Sequence, residues 1–497
     1  MINKIICPII IFLIISWSAF SQEKIDDIEV IGISPLPGIE IDRNKVPNAS
    51  QSLREIDMES STATTIVDLL GEKLTGVTIK DVQNSPFQKN LDYRGFTAAP
   101  LLGESQGLAV YLNGTRINEG FGDTLQWELV PEAALTNIDL MSSNPVFGLN
   151  ALGGSLALTT KKGLDYLNTG SSVENHFEFG GADWANGNIE LGMGDESQGL
   201  YVAMESSYDG GWRDNSAGDV QRLFMNYGKI FENSDFDFTF MNADSNLNGN
   251  GVSPTELLKV RRESVFTWPD FTSNKVYLAS SNANFYLEDD SVINTSIYYR
   301  RLIRDTLNAD ELDAEECAED NETHAEQMED DFGTDDEPIC GEADGDNYEV
   351  LIDQYGNAIS NNDAIRKYGL LNKSSTMTVT WGGATQYNID TNYLNRMHNI
   401  IIGASIDKSR TAFHSRGELG QLHNNRTVTN IGNSDGGFIT LESIREHTGA
   451  NGGMEDDNER GDVGSAQLAS KTDYYGIYVN DLFDYDDKTT VTLSARA

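Results

Sequence analysis

The fold of this chain is decided by the sequences GLAVYLNGTRI at residues 107–117 and NPVFGLNALGG at residues 144–154. In the first, apolar side chains alternate from Leu108 to Leu112, which is the period of a β-strand. Asn113 and Gly114 follow, and this pair is the strongest short hairpin signal because both residues tolerate positive φ. The stretch therefore predicts a tight β-hairpin followed by a glycine-rich return.

The residues upstream extend this unit with a helix and a further strand. One face of the predicted helix carries four apolar residues, Ile66, Leu69, Leu70 and Leu74. Ser61 or Thr62 is the predicted cap, and Gly76 ends the helix before a strand that starts at Val77. A second strand is predicted at residues 138–141. Together these elements predict a small α+β domain.

Six short motifs occur in a fixed order along this stretch: Asp68-Leu69-Leu70, Gly76-Val77, Arg94-Gly95-Phe96, Val110 to Gly114, Val130-Pro131, and Phe147 to Gly154. This order resembles the plug domain of TonB-dependent outer-membrane receptors. The resemblance implies an all-β membrane barrel with an N-terminal α+β plug inside its lumen. It also implies a place in the outer membrane of a Gram-negative bacterium.

Four regions follow from this organisation. Lys4, the apolar residues 5–15 and the small residues before Gln22 predict a signal peptide over residues 1–21, with an uncleaved anchor as the alternative. Residues 22–50 are polar and rich in turns, which predicts a flexible periplasmic arm. The plug is then expected over residues 51–163 and the barrel over residues 164–497.

The arm contains one short β-prone island. The island consists of Asp27, Ile28, Glu29, Val30 and Ile31. By its position before the plug it resembles a TonB box, an extended peptide that adds a strand to the energy-coupling protein TonB. The alternative is that it forms the first strand of the plug.

Residues after 164 show strands of alternating character. In Asp235 to Phe240, three aromatic residues lie on one face and polar residues on the other, as expected between lipid and a wet lumen. A spanning structure without long apolar helices must be a closed barrel. About 330 residues are fewer than a full transporter needs. We therefore expect a fragment that lacks its C-terminal strands, with about 10 to 14 present.

Some residues are expected to act in transport because of the resemblance. Many family members carry an arginine after the penultimate plug strand, but Ser142 and Ser143 occupy that place here. Arg94 therefore remains the candidate for locking the plug to the barrel, with a solvated turn arginine as the alternative. The candidate ligand-binding residues in plug loops are Pro86, Phe87, Leu101, Leu102, Phe121 and Trp127; ordinary plug packing is their alternative role.

A long acidic insertion lies between Asp305 and Glu349. It contains Cys317 and Cys340, which are expected to form a disulfide after export. The Asp344 to Asn347 segment lacks the spacing of a calcium-binding loop, so a solvated acidic loop is the favoured interpretation.

Composition excludes other classes of function. A formal charge of −43 excludes a nucleic-acid binder, and the six histidines show no catalytic or metal-ligand spacing. No enzyme activity, metal or cofactor is expected. The family resemblance implies import of a scarce ligand, such as a ferric siderophore or similar metal chelate, with energy delivered by TonB. The alternative is a barrel-anchored surface binding protein or adhesin without transport.

Overall fold

The computed structural model describes residues 30–36, 40–142, 144–181, 183–312, 314–316, 338–341, 347–353, 355, 357–362, 364–432, 439–448, 465–486 and 488–497. These residues form two regions. Residues 30–166 make a compact inner region, called the plug below, and residues 170–497 form a large antiparallel sheet outside it.

The plug has three small sheets and two short α-helices. Its strands are β1 (Val30–Gly32), β2 (Glu40–Asp42), β3 (Ser50–Arg54), β4 (Val77–Lys80), β5 (Asn90–Tyr93), β6 (Phe96–Ala98), β7 (Leu108–Leu112), β8 (Thr115–Arg116), β9 (Leu135–Ser142) and β10 (Gly154–Thr160). Its helices are α1 (Glu55–Glu59) and α2 (Ile66–Lys73), and its 3-10 turns are Arg43–Lys45, Trp127–Leu129, Glu132–Ala134, Pro145–Phe147 and Gly163–Tyr166. The central sheet has the order β3-β9-β10-β7-β8, in which only the β10–β7 pairing is parallel.

The predicted hairpin is confirmed, whereas the predicted helix cap is wrong. Asn113 and Gly114 both have positive φ, 47° and 84°, in the turn between β7 and β8. The cap of α2 is Thr65, whose hydroxyl accepts a hydrogen bond from the Asp68 amide at 3.3 Å. Five cap-competent residues lie within positions 60–65, and the first turn starts at the last of them because Ile66 and Val67 are already buried.

The outer region contains sixteen strands within the described residues. They are β11 (Gly170–Phe179), β12 (Ala185–Gly194), β13 (Gln198–Asp209), β14 (Gly218–Phe231), β15 (Ser234–Asn248), β16 (Asp270–Tyr286), β17 (Val292–Glu311), β18 (Ala314–Glu316), β19 (Ile339–Gly341), β20 (Asn347–Asp353), β21 (Tyr368–Tyr393), β22 (Arg396–Leu422), β23 (Val428–Asn430), β24 (Thr440–Thr448), β25 (Ala466–Asp486) and β26 (Thr489–Arg496). Helix α3 (Thr255–Val260) lies between β15 and β16.

Eleven of these strands form one continuous wall. The order is β11 to β17, then β21, β22, β25 and β26, and every neighbouring pair is antiparallel. At one edge of the wall the connections are short, as at Leu287–Ser291. At the other edge most connections are longer, and this edge carries β18, β19, β20, β23 and β24. The eleven strands of the wall lie within the predicted range of about 10 to 14.

The two faces of the wall differ as the alternation predicts. In β15 the side chains of Asp237 and Thr239 are buried on the inner face, whereas Phe236, Phe238 and Phe240 are part-exposed on the outer face. Aromatic side chains also line the outer face near each edge: Tyr277, Tyr299, Trp381 and Tyr475 towards the long connections, and Phe231, Phe285, Tyr393 and Tyr485 towards the short turns. Strand geometry separates these two rows by about 25 Å, the height of an outer-membrane barrel's apolar band.

The wall curves around the plug. Tyr201, Phe224 and Val276, from β13, β14 and β16, belong to the same buried cluster as the plug core. Tyr478 and Leu482, from β25, belong to a second cluster with Phe147 of the plug. Because both ends of the wall pack on the plug, the sheet must be strongly curved. The fold is therefore a β-barrel wall with an α+β plug on its inner side, as predicted.

The described part of the N-terminal arm is packed and not free. Strand β1 pairs antiparallel with β2, with Ile31 opposite Ile41. Ile31, Ile33 and Leu36 are buried. The flexible-arm prediction is therefore wrong for residues 30–36 and 40–45, because their apolar side chains have a site against the plug and wall. Residues 1–29, which include the predicted signal peptide, lie outside the described residues.

Among the described residues, no helix combines the length and the hydropathy needed to cross a bilayer.

Candidate functional site: the plug–wall interface

The segment Trp127–Ala134 carries two plug carboxylates to the wall. Trp127 is buried in the plug core and donates its indole N–H to the Ala98 carbonyl at 3.0 Å. Pro131 then separates two 3-10 turns, each of which holds one glutamate. Because Trp127 anchors the segment and the backbone turns twice, Glu128 and Glu132 reach the inner face of β13–β16.

Arg222 of β14 joins these plug residues to the wall. Its Nε donates to the Glu128 carbonyl oxygen at 2.6 Å, and its Nη2 lies 3.2 Å from Glu132 Oε1. Its Nη1 donates to Glu205 Oε1 at 2.6 Å, and Glu205 lies directly opposite Arg222 in the β13–β14 register. The guanidinium is 2% exposed, so these charge-assisted bonds are protected from solvent screening.

The Glu128 carboxyl group is bound by the wall as well. Its Oε1 accepts hydrogen bonds from Asn274 Nδ2 at 2.7 Å and from Ser245 Oγ at 3.4 Å. Burial raises the pKa of Glu128 from 4.5 to about 7, and burial also raises the pKa of Glu132. We call Glu128, Glu132, Glu205, Arg222 and Asn274 the charged seam.

Other polar contacts also join the plug to the wall. Arg300 of β17 pairs with Glu119, and Arg304 Nη1 donates to the Pro100 carbonyl at 2.6 Å. Lys161 of the plug lies 3.0 Å from Glu55 of the plug and 2.7 Å from Glu190 of β12, so it bridges the two carboxylates. These bonds attach plug loops and the plug's last strand to separate wall strands.

Gly163 marks a close backbone approach between plug and wall. Its amide donates to Asn226 Oδ1 at 2.8 Å, and a Cβ at Gly163 would overlap the Gly199 carbonyl. Only glycine fits here without moving the backbone of β13.

The opposite side of the plug meets the wall mainly through apolar groups. Ile31 of β1 packs in one buried cluster with Phe147, Ile401, Tyr478 and Leu482. We call these five residues the apolar seam. Polar contacts flank it, from Arg496 Nη1 of β26 to the Val146 carbonyl at 2.8 Å and from Lys45 Nζ to Asp484 of β25 at 2.9 Å.

The plug loops with the candidate ligand-binding residues face the edge with the long connections. Phe87 is buried and stacks on Trp184 with ring centroids 5.5 Å apart, and Pro86 is half-buried beside it. In the same region, Trp212 Nε1 of the β13–β14 connection donates to Asn84 Oδ1 at 3.2 Å. This part of the plug is therefore in contact with the wall's long connections.

The other candidates differ in accessibility. Leu101 and Phe121 are half-buried, and Phe121 lies 6.3 Å from the Phe413 ring on the wall. Leu102 is 45% exposed, whereas Trp127 is in the plug core. Ligand contact stays a prediction for all six residues, and the structure gives Leu102 the most accessible position.

Arg94 occupies an exposed turn between β5 and β6. Its φ is 51°, and its guanidinium lies 5.0 Å from the ring centroid of Tyr93. Within the described part of the chain, the ion pairs between plug and wall involve other residues, chiefly Arg222, Arg300 and Lys161. The locking role of Arg94 stays a prediction.

The remaining candidates fall partly outside the described residues. Asp27, Ile28 and Glu29 of the predicted TonB box lie outside them, whereas Val30 and Ile31 form part of β1. Cys340 is disulfide-bonded, but Cys317, its predicted partner, also lies outside the described residues. No three His, Cys, Asp or Glu side chains in the described ranges are arranged to hold a metal ion.

Sequence reasoning missed the charged seam. The available signal was the placement of Glu128 and Glu132 within the apolar sequence WELVPEAAL at residues 127–135. Buried carboxylates require partners, so this placement could have indicated an interface. Their partner Arg222 lies about ninety residues away, and only the folded chain brings it there.

Comparisons with known proteins agree with this architecture. The TonB-dependent Receptor Plug Domain family model matches residues 42–155. Residues 42–155 are thus a TonB-dependent receptor plug domain, and with its wall the chain has the fold of these receptors. A search of curated protein sequences finds no match.

Three solved structures illustrate the similarity in fold. The pyoverdine outer membrane receptor FpvA from Pseudomonas aeruginosa PAO1 is 11% identical with a TM-score of 0.60, covering 94% of this chain and 58% of that one. The ferric citrate transporter FecA is 14% identical with a TM-score of 0.59, covering 91% of this chain and 59% of that one. The siderophore receptor PiuA from Acinetobacter baumannii is 12% identical with a TM-score of 0.57, covering 91% of this chain and 57% of that one. The chain therefore spans somewhat more than half the length of these receptors.

Proposed function

We propose that this chain acts as a TonB-dependent outer-membrane receptor that imports a scarce extracellular ligand. The observation that carries the proposal is a folded plug attached to the inside of a barrel wall by buried charged bonds. A ligand can pass only if these bonds open, and each buried pair that loses a partner costs about 3–5 kcal/mol. The outer membrane contains no ATP, so this work must be delivered mechanically from the periplasmic side.

The N-terminal arm supplies a route for that work. Residues 27–31 run into the first strand of the plug, and an extended peptide of this kind can pair with TonB as an added strand. Ile31 is fully buried in the apolar seam, and Val30 pairs with Asp42 of β2. We infer that TonB binds this strand after β1 leaves β2, so that coupling begins with opening of the apolar seam.

The outer face of the wall supports a membrane location. Two aromatic rows flank a band that includes Ile297, Ile402 and Ile477, all of which are at least half exposed. Such a band with aromatic borders is typical of an outer-membrane barrel. In this arrangement the short turns face the periplasm and the long connections face the exterior.

The proposed ligand is a ferric siderophore or a similar metal chelate. FecA is a ferric citrate transporter, PiuA is a siderophore receptor and FpvA was solved bound to pyoverdine. The similarity to these proteins is one of fold, so the ligand class rests on this proposal and requires a direct test.

The test uses iron-limited cells that carry the full-length gene and receive a panel of iron, cobalamin and glycan sources. Ile28→Pro removes a backbone donor that strand addition requires, and Ile28→Ala is the matched control because it keeps that donor. We expect one source to support growth in the wild type and in Ile28→Ala, but not in Ile28→Pro at equal surface expression.

If growth on every source is indifferent to Ile28→Pro, energised import is wrong. A barrel-anchored surface binding protein or adhesin then becomes the better account, provided that ligand binding to cells persists.

A further inference from the structure

The outer face of the wall carries a compact group of cations near the long connections. These are Arg301 on β17, Lys408 and Arg410 on β22, and Lys471 on β25. Three of them lie in one cross-strand row, because Arg301 pairs with Val379, Val379 with Arg410, and Arg410 with Lys471. Lys408 lies two residues from Arg410 on the same face. We call these four residues the basic row.

The basic row is weakly neutralised by the protein itself. Lys471 Nζ lies 3.1 Å from Asp473, and Asp473 also lies directly opposite Lys408, but no carboxylate in the described ranges pairs with Arg410 or Arg301. The recorded polar contact of Arg301 is with Met377 sulfur at 3.4 Å. Arg410 and Lys471 face each other directly, an arrangement that destabilises an isolated sheet. A bound anion would remove this cost.

The position of the basic row relative to the aromatic border indicates the kind of anion. Lys408 lies 5.6 Å from the Trp381 ring centroid and 5.4 Å from that of Tyr475. These rings belong to the border towards the long connections, where aromatic side chains lie at headgroup level. Arg410, Arg301 and Lys471 lie immediately beyond this level, at the depth of lipid phosphates.

A groove continues from the basic row towards the long connections. It has a volume of about 680 Å³, and its lining includes Ser375, Met377, Ala412, His414 and Gln467. Hydroxyl, imidazole and amide groups on an otherwise apolar floor suit the sugar or other polar part of a large headgroup. The groove and the basic row are continuous on β21, β22 and β25.

We propose that the basic row binds the phosphate groups of a phosphorylated lipid in the membrane leaflet next to the long connections. The charge contrast supports this occupant, since four cations cluster here in a chain with 35 basic and 78 acidic residues. The proposal rests on the membrane location given above, but it does not depend on transport or on TonB.

The test is lipid retention by the purified full-length receptor in detergent, measured by native mass spectrometry. The probes are diphosphorylated lipid A, the same lipid without phosphates, and inorganic phosphate as competitor. Each cation at a membrane surface contributes about fivefold to anionic lipid binding. We therefore expect Arg410→Gln to weaken retention about fivefold and the triple variant R301Q/R410Q/K471Q to weaken it about a hundredfold.

Lys229→Gln is the matched control, because Lys229 is an outer-face cation on β14 at the edge with the short turns. It should retain lipid like the wild type, Arg410→Lys should restore most of the binding, and added salt should weaken it. Heat-modifiable migration on gels checks that each variant is folded.

Equal retention by the triple variant and the wild type would overturn the proposal, as would equal retention of the phosphate-free lipid. Displacement by inorganic phosphate at concentrations similar to those of the lipid would assign the row to a soluble phosphorylated ligand instead. If the growth test fails while lipid retention is intact, the proposed import function is wrong but the proposed lipid site is supported.

Discussion

The charged seam and the apolar seam attach the same plug to the wall through different kinds of interaction. At the charged seam, Arg222 makes three directed bonds to Glu128, Glu132 and Glu205 while almost fully buried. At the apolar seam, Ile31, Ile401 and Leu482 contribute burial without direction. A directed buried network fails at once when one partner is lost, whereas apolar burial is lost gradually as area is exposed.

This difference suggests an order of events for the transport proposed above. The apolar seam contains β1, so a pull on the N-terminal arm reaches it first. The charged seam lies on the far side of the plug, so it opens only if the pull displaces the plug itself. Partial opening at β1 and full release at Arg222 are then separable steps, and variants of each seam should affect different observables.

The largest effect is expected for Arg222→Met. It leaves Glu132 and Glu205 buried without their cation, which costs about 3–5 kcal/mol. Hydrogen exchange of amides 127–134 in the purified receptor should therefore rise strongly. Adding Glu132→Gln and Glu205→Gln should restore much of the protection, and a triple variant that exchanges as fast as Arg222→Met would refute the charge explanation.

Ile31→Ala should weaken the apolar seam by about 3 kcal/mol, because it deletes a fully buried aliphatic side chain. Amide exchange should increase in β1 and β2 but not at residues 127–134. Ile31→Val serves as the control, with an expected cost of about 1 kcal/mol. Equal loss of protection in both seams would mean that they open as one unit.

The charged seam should also depend on pH. Because burial raises the pKa of Glu128 from 4.5 to about 7, the folded state binds this proton more tightly than the unfolded state does. The resulting stabilisation is complete below about pH 4.5 and is lost as the pH rises through about 7, by at most about 3 kcal/mol.

Amide exchange at residues 127–134 should therefore accelerate from pH 5 to pH 8 after correction for the intrinsic rate. Glu128→Gln keeps an oxygen acceptor for Asn274 and should weaken this dependence, leaving the part that comes from Glu132. A profile unchanged by Glu128→Gln would assign the pH effect to another group.

The smallest effect is expected for Lys45→Gln. Lys45 Nζ lies 2.9 Å from Asp484 on β25, but both side chains are nearly half exposed. Exposed pairs contribute about 0.2–1 kcal/mol, and salt screens them. The variant should match the wild type in amide exchange of β2, and a clear loss of protection would show that exposed charges also hold this side of the plug.

The sequence predicted the parts of the fold that depend on local pattern. Asn113-Gly114 defined a turn, and the alternation around Phe238 defined the two faces of a strand. The interface could not be predicted in this way, since Glu128 and Asn274 are separated by 146 positions and meet only after the wall has formed around the plug. The packing of Ile31 could not be predicted from the sequence for the same reason, because its wall partners come from β22 and β25.

The position of Phe87 shows a further limit of local reasoning. Its place in a plug loop made it a candidate ligand contact, with ordinary plug packing as the alternative. The loop is covered by the wall, where Trp184, Val220 and Leu247 bury the ring. A loop at the end of one domain can thus be the core of its contact with another.

The most direct test of the central claim is thiol labelling of Ser245→Cys in living cells. Ser245 is fully buried on the wall beneath Glu128, so a cysteine there becomes accessible only when the charged seam opens. The account predicts labelling in energised cells with the transported ligand, and protection without ligand, without membrane energy or in the Ile28→Pro variant. Equal labelling under all four conditions, or protection in every one while uptake proceeds, would contradict it.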